Sequence, residues 1–82
     1  MPASYALHYG RQATPLCHVN PDDKYPSMYR IHWPDGEVSE MVNLSRAKDA
    51  ASVLARRRHG IHDPSMLSWM PGRAAGEPAT SI

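Results

Sequence analysis

Residues 27–60 read SMYRIHWPDGEVSEMVNLSRAKDAASVLARRRHG, and this stretch decides the fold. Near its start, Tyr29, Ile31 and Trp33 recur at every second position, which is typical of a strand with one apolar face. The Pro-Asp-Gly sequence at 34–36 predicts a three-residue hairpin loop, because proline presets the first turn position and glycine accepts a positive φ. The segments on either side of the loop are therefore expected to pair as a central β-hairpin.

This loop also predicts a register for the hairpin. Tyr29 is expected opposite Met41, and Arg30 is expected opposite Glu40. Charges of opposite sign that face each other across two strands stabilise the pairing, so the register predicts an ion pair between Arg30 and Glu40.

A helix is expected after the hairpin, because the apolar period changes from two to 3.6 residues beyond Leu44. Ser45 is predicted to be the N-cap, and Gly60 the residue that ends the helix in a left-handed conformation. The side that packs on the sheet is mostly alanine and comprises Ala47, Ala50, Ala51 and Leu54.

The segments outside this unit add to the sheet. Alternation from Tyr5 to Tyr9 predicts a short strand. The apolar patch at 16–19 is interpreted as an extended edge piece that covers Val38 and Val42. Asp63 and Pro64 have the pattern of a helix start, so residues 66–70 are predicted to form either a helical turn or a strand.

Together these segments predict a small α+β protein, with an antiparallel sheet made of the central hairpin plus one or two N-terminal strands and one helix packed on one face. The chain has 82 residues, which suits one domain. We expect that domain at 1–72, with the ββα unit at 27–60 as its core. Residues 73–82 read RAAGEPATSI, with Ile82 as the one large apolar residue, and are predicted to be a disordered tail.

Composition narrows the class of protein. Cys17 is the single cysteine, which excludes a disulfide within one chain and favours the cytoplasm. No apolar run approaches 20 residues, so no membrane partner is expected. The net charge is only +1, but the basic residues concentrate between Ser45 and Gly60.

The basic end of the helix is a candidate contact surface for nucleic acid or for an acidic partner. Arg56, Arg57 and Arg58 point in three directions around the helix, and helix-dipole complementation is the simpler explanation of their charge. The order of hairpin and alanine-bearing helix over residues 27–58 resembles the arm-binding domains of tyrosine recombinases. That resemblance implies DNA contact through Arg30 and His32 on the exposed sheet face, although Glu40 beside Arg30 departs from the expected basic face.

The sequence also contains candidates for a metal site and for a cysteine nucleophile. The metal-ligating candidates are scattered along the chain, and zinc sites usually place about four ligands in recognisable local pairs. A cysteine nucleophile needs a neighbouring base, and the sequence places none beside Cys17. The candidate metal ligands are Cys17, His18, His32, His59 and His62.

We therefore expect a small non-catalytic interaction or accessory module, with no cofactor. An unidentified protein partner or self-association is the preferred reading, with pairing through the strand at 5–9 or the segment at 66–70. Nucleic-acid binding by the helix end and the exposed sheet face is the alternative, and a small metal-binding domain is the second alternative. Five aromatic residues are expected to belong to the core, or else to form an exposed aromatic patch for a partner. They are Tyr5, Tyr9, Tyr25, Trp33 and Trp69.

Overall fold

The computed structural model describes residues 3–72, so the predicted tail at 73–82 lies outside the described residues. It is a small α+β fold with one sheet and one long helix. The elements are β1 (Tyr5–Tyr9), β2 (Cys17–Pro21), β3 (Tyr29–His32), α1 (Leu44–His59), a 3₁₀ turn (Pro64–Met66) and β4 (Leu67–Pro71).

The sheet has four antiparallel strands in the order β3-β2-β1-β4, and α1 packs on one side of it. The predicted strand at 5–9 is confirmed, but it lies inside the sheet between β2 and β4. The interpretation of residues 16–19 as an edge piece is wrong, since β2 is an inner strand that pairs with both β1 and β3. Val38 is 48% exposed, whereas Val42 packs against the core. Because β1 pairs with β2 on one edge and with β4 on the other, self-association through an edge of β1 is excluded.

The predicted hairpin loop is present. Trp33 N–H donates to Glu37 O at 2.9 Å, Gly36 N–H donates to Trp33 O at 3.0 Å, and Gly36 has a φ of 96°. The predicted register also holds as far as Ser39, whose N–H donates to Ile31 O at 2.9 Å.

Beyond Ser39 the predicted register is wrong. Tyr29 pairs with Val42 instead of Met41, so the segment after the turn contains one extra residue. The physical reason is the side chain of Ser39, whose Oγ accepts from Ile31 N–H at 2.8 Å and takes the place of a backbone acceptor. The resulting bulge leaves residues 37–42 as an irregular partner of β3 and not as a regular strand.

The helix ends at the predicted residue and begins two residues earlier than predicted. Gly60 has a φ of 63° and donates its N–H to Arg56 O. The N-cap is Asn43 and not Ser45, because Asn43 has an extended backbone and its Oδ1 accepts from Arg46 N–H at 2.8 Å. Asparagine and serine are equally good caps, so composition did not decide between them.

The core lies between α1 and the sheet. The helix contributes Ala47, Ala51 and Ala55, each fully buried. Small side chains at these positions let the helix lie close to the sheet, and the volume between the layers comes from the strands. The strand residues that are fully buried in this core are Leu7, Cys17, Val19 and Ile31.

The aromatic residues mostly belong to this core, as the preferred interpretation predicted. Tyr29 and Trp33 are buried, while Tyr5, Tyr9 and Trp69 are partly buried against the core. The ammonium of Lys48 lies 4.0 Å from the centroid of the Tyr5 ring and 5.6 Å from that of Trp69, which adds a cation–π contact between the helix and the sheet.

Residues 63–71 combine the two predicted alternatives. Asp63 caps the 3₁₀ turn by accepting from Ser65 N–H at 3.0 Å, and the chain then enters β4. Within residues 3–72, no helix has the length and apolar character needed to cross a membrane.

Candidate functional site

The sheet has a second face, directed away from α1, that carries most of the polar side chains of the strands. Because residues alternate along a strand, Val19 and Ile31 point to the helix while their neighbours point the other way. We call this surface the open face; its members are Ala6, His8, His18, Asn20, Arg30, His32, Ser68 and Met70.

Three histidines lie near one another on the open face. His18 on β2 is directly opposite His32 on β3, and His8 lies on the adjacent strand β1. Burial lowers the pKa of His18 from the ordinary value of 6.5, and the charges of His32 and His8 lower it further. Burial and the charge of Arg30 likewise lower the pKa of His32, against a smaller opposing effect of Asp23. His18 and His32 are therefore neutral at pH 7.

Arg30 is the one formal charge among the members of the open face, and its guanidinium is already paired. Its Nε donates to Asp22 Oδ1 at 2.8 Å, and another of its nitrogens donates to Ser39 O at 3.1 Å. The ion pair predicted between Arg30 and Glu40 is wrong, because the bulge moves Glu40 out of register and Asp22 approaches from the loop after β2. The hydrogen bond from Arg30 lowers the pKa of Asp22.

Asn20 lies beside Arg30 in the β2–β3 register and is only 5% exposed. Its Oδ1 is buried and accepts no hydrogen bond from the part of the chain that the structure describes. The open face thus includes a buried polar group as well as half-buried imidazoles.

Arg58 is the second predicted contact residue with intramolecular partners. Its guanidinium lies 4.0 Å from the centroid of the Trp33 ring, donates to Glu37 Oε1 at 2.6 Å and lies 3.5 Å from Asp35 Oδ2. The hydrogen bond to Glu37 raises the pKa of Arg58 above its ordinary value. Arg58 therefore ties the end of α1 to the turn after β3.

Arg56 and Arg57 remain near the surface at the end of α1. They line a groove of about 420 Å³ together with Val53, Gly60, Ile61 and His62, and no acidic side chain lines it. The Nε of Arg56 is buried and has no hydrogen-bond partner within residues 3–72. Hydrogen bonds from Ser65 and, to a smaller extent, the charge of Arg56 lower the pKa of Asp63 nearby.

The candidate metal ligands do not come together as one set. Cys17 is fully buried on the side of the sheet that faces α1, whereas His18 and His32 are on the open face. His59 and His62 are at the exposed end of the helix. Among the described residues, no group of three or more His, Cys, Asp or Glu side chains is arranged to hold a metal ion.

Burial also explains the chemistry of Cys17. Loss of solvent around the thiol raises its pKa to about 12, and the charge of Arg58 offsets only part of this effect. The thiolate needed for nucleophilic attack is therefore scarce at pH 7.

Sequence reasoning missed five members of the open face: Ala6, His8, Asn20, Ser68 and Met70. The signal for His8 was present, because alternation in the strand at 5–9 places its side chain on the other face of the strand from the apolar Leu7. Ser68 and Met70 were missed because the sequence left open whether their segment is a helical turn or a strand.

The structure places Arg30 and His32 on the sheet face opposite the helix, which is the position that the resemblance to arm-binding domains implied. The second hairpin strand of that resemblance is replaced by the irregular segment at 37–42. Comparison of the chain with protein-family models, with curated proteins and with solved structures finds no match.

Proposed function

We propose that the chain is a small non-catalytic interaction module that binds a protein partner through the open face of its sheet. The observation that carries the proposal is the composition of that face: it contains three histidines, one arginine and one exposed methionine, and none of its members is a lysine or a carboxylic acid. Arginine and methionine are enriched at the centres of protein interfaces, and Lys, Asp and Glu are depleted there.

The electrostatics of the open face support the same proposal. Sheet faces that only contact water are usually rich in charged side chains, and a partner that buries such a face must remove their water. Here Arg30 is neutralised by Asp22, and the lowered pKa values keep His18 and His32 neutral at pH 7. Burying this face therefore costs less free energy than burying an ordinary solvated sheet face.

The non-catalytic part of the proposal is supported by the state of Cys17. Its thiol is buried beneath the helix with a pKa of about 12, which suits a core residue and not a nucleophile. A single cysteine held as a free thiol is also compatible with a reducing compartment, and we propose the cytoplasm.

Capture of partners by matched variants tests this function. The double substitution Ser68→Glu and Met70→Glu places two charges on the open face at exposed positions, and Val53→Glu places one on the outer side of α1. We expect partners recovered by the wild type and by the Val53→Glu variant to be lost by the open-face variant. Equal recovery by all three proteins would contradict the proposal.

A second candidate function is nucleic-acid binding at the end of α1. The observation in its favour is the groove lined by Arg56, Arg57 and His62 without an acidic side chain. Two of the five predicted contact residues, Arg30 and Arg58, are paired with carboxylates. The phosphate contacts of this candidate are therefore assigned to the arginines that line the groove, Arg56 and Arg57.

A salt series with a mixed-sequence DNA duplex tests the second candidate. Each phosphate contact contributes about −0.9 to the slope of log K against log salt, so Arg56→Ala with Arg57→Ala should make the slope less steep by about two contacts. The matched control is Arg11→Ala with Lys24→Ala, which removes the same charge from exposed positions elsewhere. Identical slopes for both variants would show that binding depends on net charge and not on this groove, which would contradict the second candidate.

A further inference from the structure

The pair formed by His18 and His32 stands apart from the other histidines, because the sheet itself sets their separation. The two residues face each other directly across β2 and β3. Ile31 and Trp33, on either side of His32, direct their backbone groups toward the segment that follows the turn. Because backbone groups alternate along a strand, His32 directs its own toward β2. This makes the two histidines a hydrogen-bonded pair with their Cα atoms about 5.5 Å apart.

Two imidazoles at this separation meet the distance requirement of one metal ion. Late transition metals bind imidazole nitrogen at about 2.0–2.1 Å, so the two nitrogens must approach to about 3 Å from each other. Directly opposed side chains on one sheet face reach this distance by rotation about their own χ angles.

Space for an ion and its water ligands lies next to the pair. His18 and His32 line a groove of about 380 Å³, whose walls are the loop at Thr14 and Pro15 and the turn after Trp33. An ion bound there would keep positions for water, since the two histidines supply only part of a coordination shell.

We propose that His18 and His32 form a two-histidine site for a divalent late transition-metal ion, and that it binds Cu²⁺ more tightly than Ni²⁺ or Zn²⁺. The order follows from the general affinity of nitrogen ligands for these ions. Both ligands belong to the open face, but the test of the site needs no protein partner, and the site uses none of the other three predicted metal ligands.

The charges around the pair are compatible with a cation. Arg30 lies on the same strand as His32, but Asp22 neutralises it at 2.8 Å. The negative charge of Asp23 opposes the effect of Arg30 on His32, and the residue directly opposite His18 on β1 is the uncharged Ala6.

The test is titration of the full chain with Cu²⁺, followed by calorimetry and by electron paramagnetic resonance. One Cu²⁺ per chain with two imidazole nitrogens is expected, and H18Q or H32Q should each weaken binding about tenfold or more. The matched control is the double variant H59Q/H62Q, which removes two exposed histidines and should retain wild-type affinity. The absence of binding, unchanged affinity in H18Q, or loss in H59Q/H62Q would overturn the site.

A second measurement does not depend on the folding of a variant. In the wild-type protein, Zn²⁺ should shift the imidazole ¹⁵N resonances of His18 and His32 and leave those of His59 and His62 in place. Shifts at His59 and His62 without shifts at the pair would overturn the proposal.

Discussion

The guanidinium of Arg58 stacks on the Trp33 ring at 4.0 Å and donates to Glu37 at 2.6 Å. A planar guanidinium makes both contacts at once, whereas a lysine ammonium is a compact charge that cannot stack in the same way. We therefore predict that Arg58→Ala lowers the thermal midpoint and that Arg58→Lys restores only part of the loss. Circular dichroism melts check this, with Arg57→Ala as the exposed control. Equal midpoints for Arg58→Ala and Arg57→Ala would contradict the structural role.

His18 gives the protein a predicted pH dependence of stability. Its pKa in the folded protein lies below the ordinary value of 6.5, so the unfolded chain binds more protons as the pH falls past 6.5. The free energy of unfolding should therefore fall between about pH 7 and about pH 5. His18→Gln should lose less stability over this interval than the wild type does in urea unfolding. Parallel curves for the two proteins would show that His18 is not responsible.

Among the elements, α1 depends most on small side chains. Ala51 is fully buried between the helix and the sheet, whereas Ala50 is partly buried at the flank. Ala51→Leu should cost about 1–3 kcal/mol of the free energy of unfolding through overpacking. Ala50→Leu in the same helix is the control and should cost much less, as measured by urea unfolding. A tolerated Ala51→Leu would mean that the layers are not in close contact.

The turn after β3 depends on Gly36, whose φ is 96°. A β-branched residue strongly resists this conformation, although the space around the position is open. Gly36→Val should destabilise the protein by about 1–3 kcal/mol through backbone strain. Gly36→Asn is the milder comparison, since asparagine tolerates positive φ better. If valine and asparagine gave the same free energy of unfolding, strain at this turn would be excluded.

The elements differ in how far local sequence determines them. The turn and the end of α1 were predicted correctly, because Gly36 and Gly60 each mark a backbone conformation that few other residues adopt. The register beyond Ser39 was not, because it depends on a serine hydroxyl that replaces a backbone hydrogen bond. The pattern of the sequence does not show that choice. Because the register shifts after Ser39, the predicted pairing of Arg30 with Glu40 is wrong as well.

At the scale of the whole molecule, the order of strands was the main feature beyond reach of the sequence. Strand order depends on which edges meet in three dimensions, and alternation within each strand is the same for an inner strand and an edge strand. The open face depends on that order, since β2 brings His18 between His32 and His8. The candidate residues Arg30 and His32 were therefore predicted singly, whereas the surface that they share was not.

The central claim is that the open face is the surface that contacts a protein partner. It is tested most directly by a photo-crosslinking amino acid placed at Met70 in one protein and at Val53 in another. Met70 is 50% exposed and lies on the open face, whereas Val53 is 46% exposed and lies on the outer side of α1. We expect a discrete crosslinked protein from position 70 and none from position 53. Crosslinking from position 53 alone, or the same product from both positions, would contradict it.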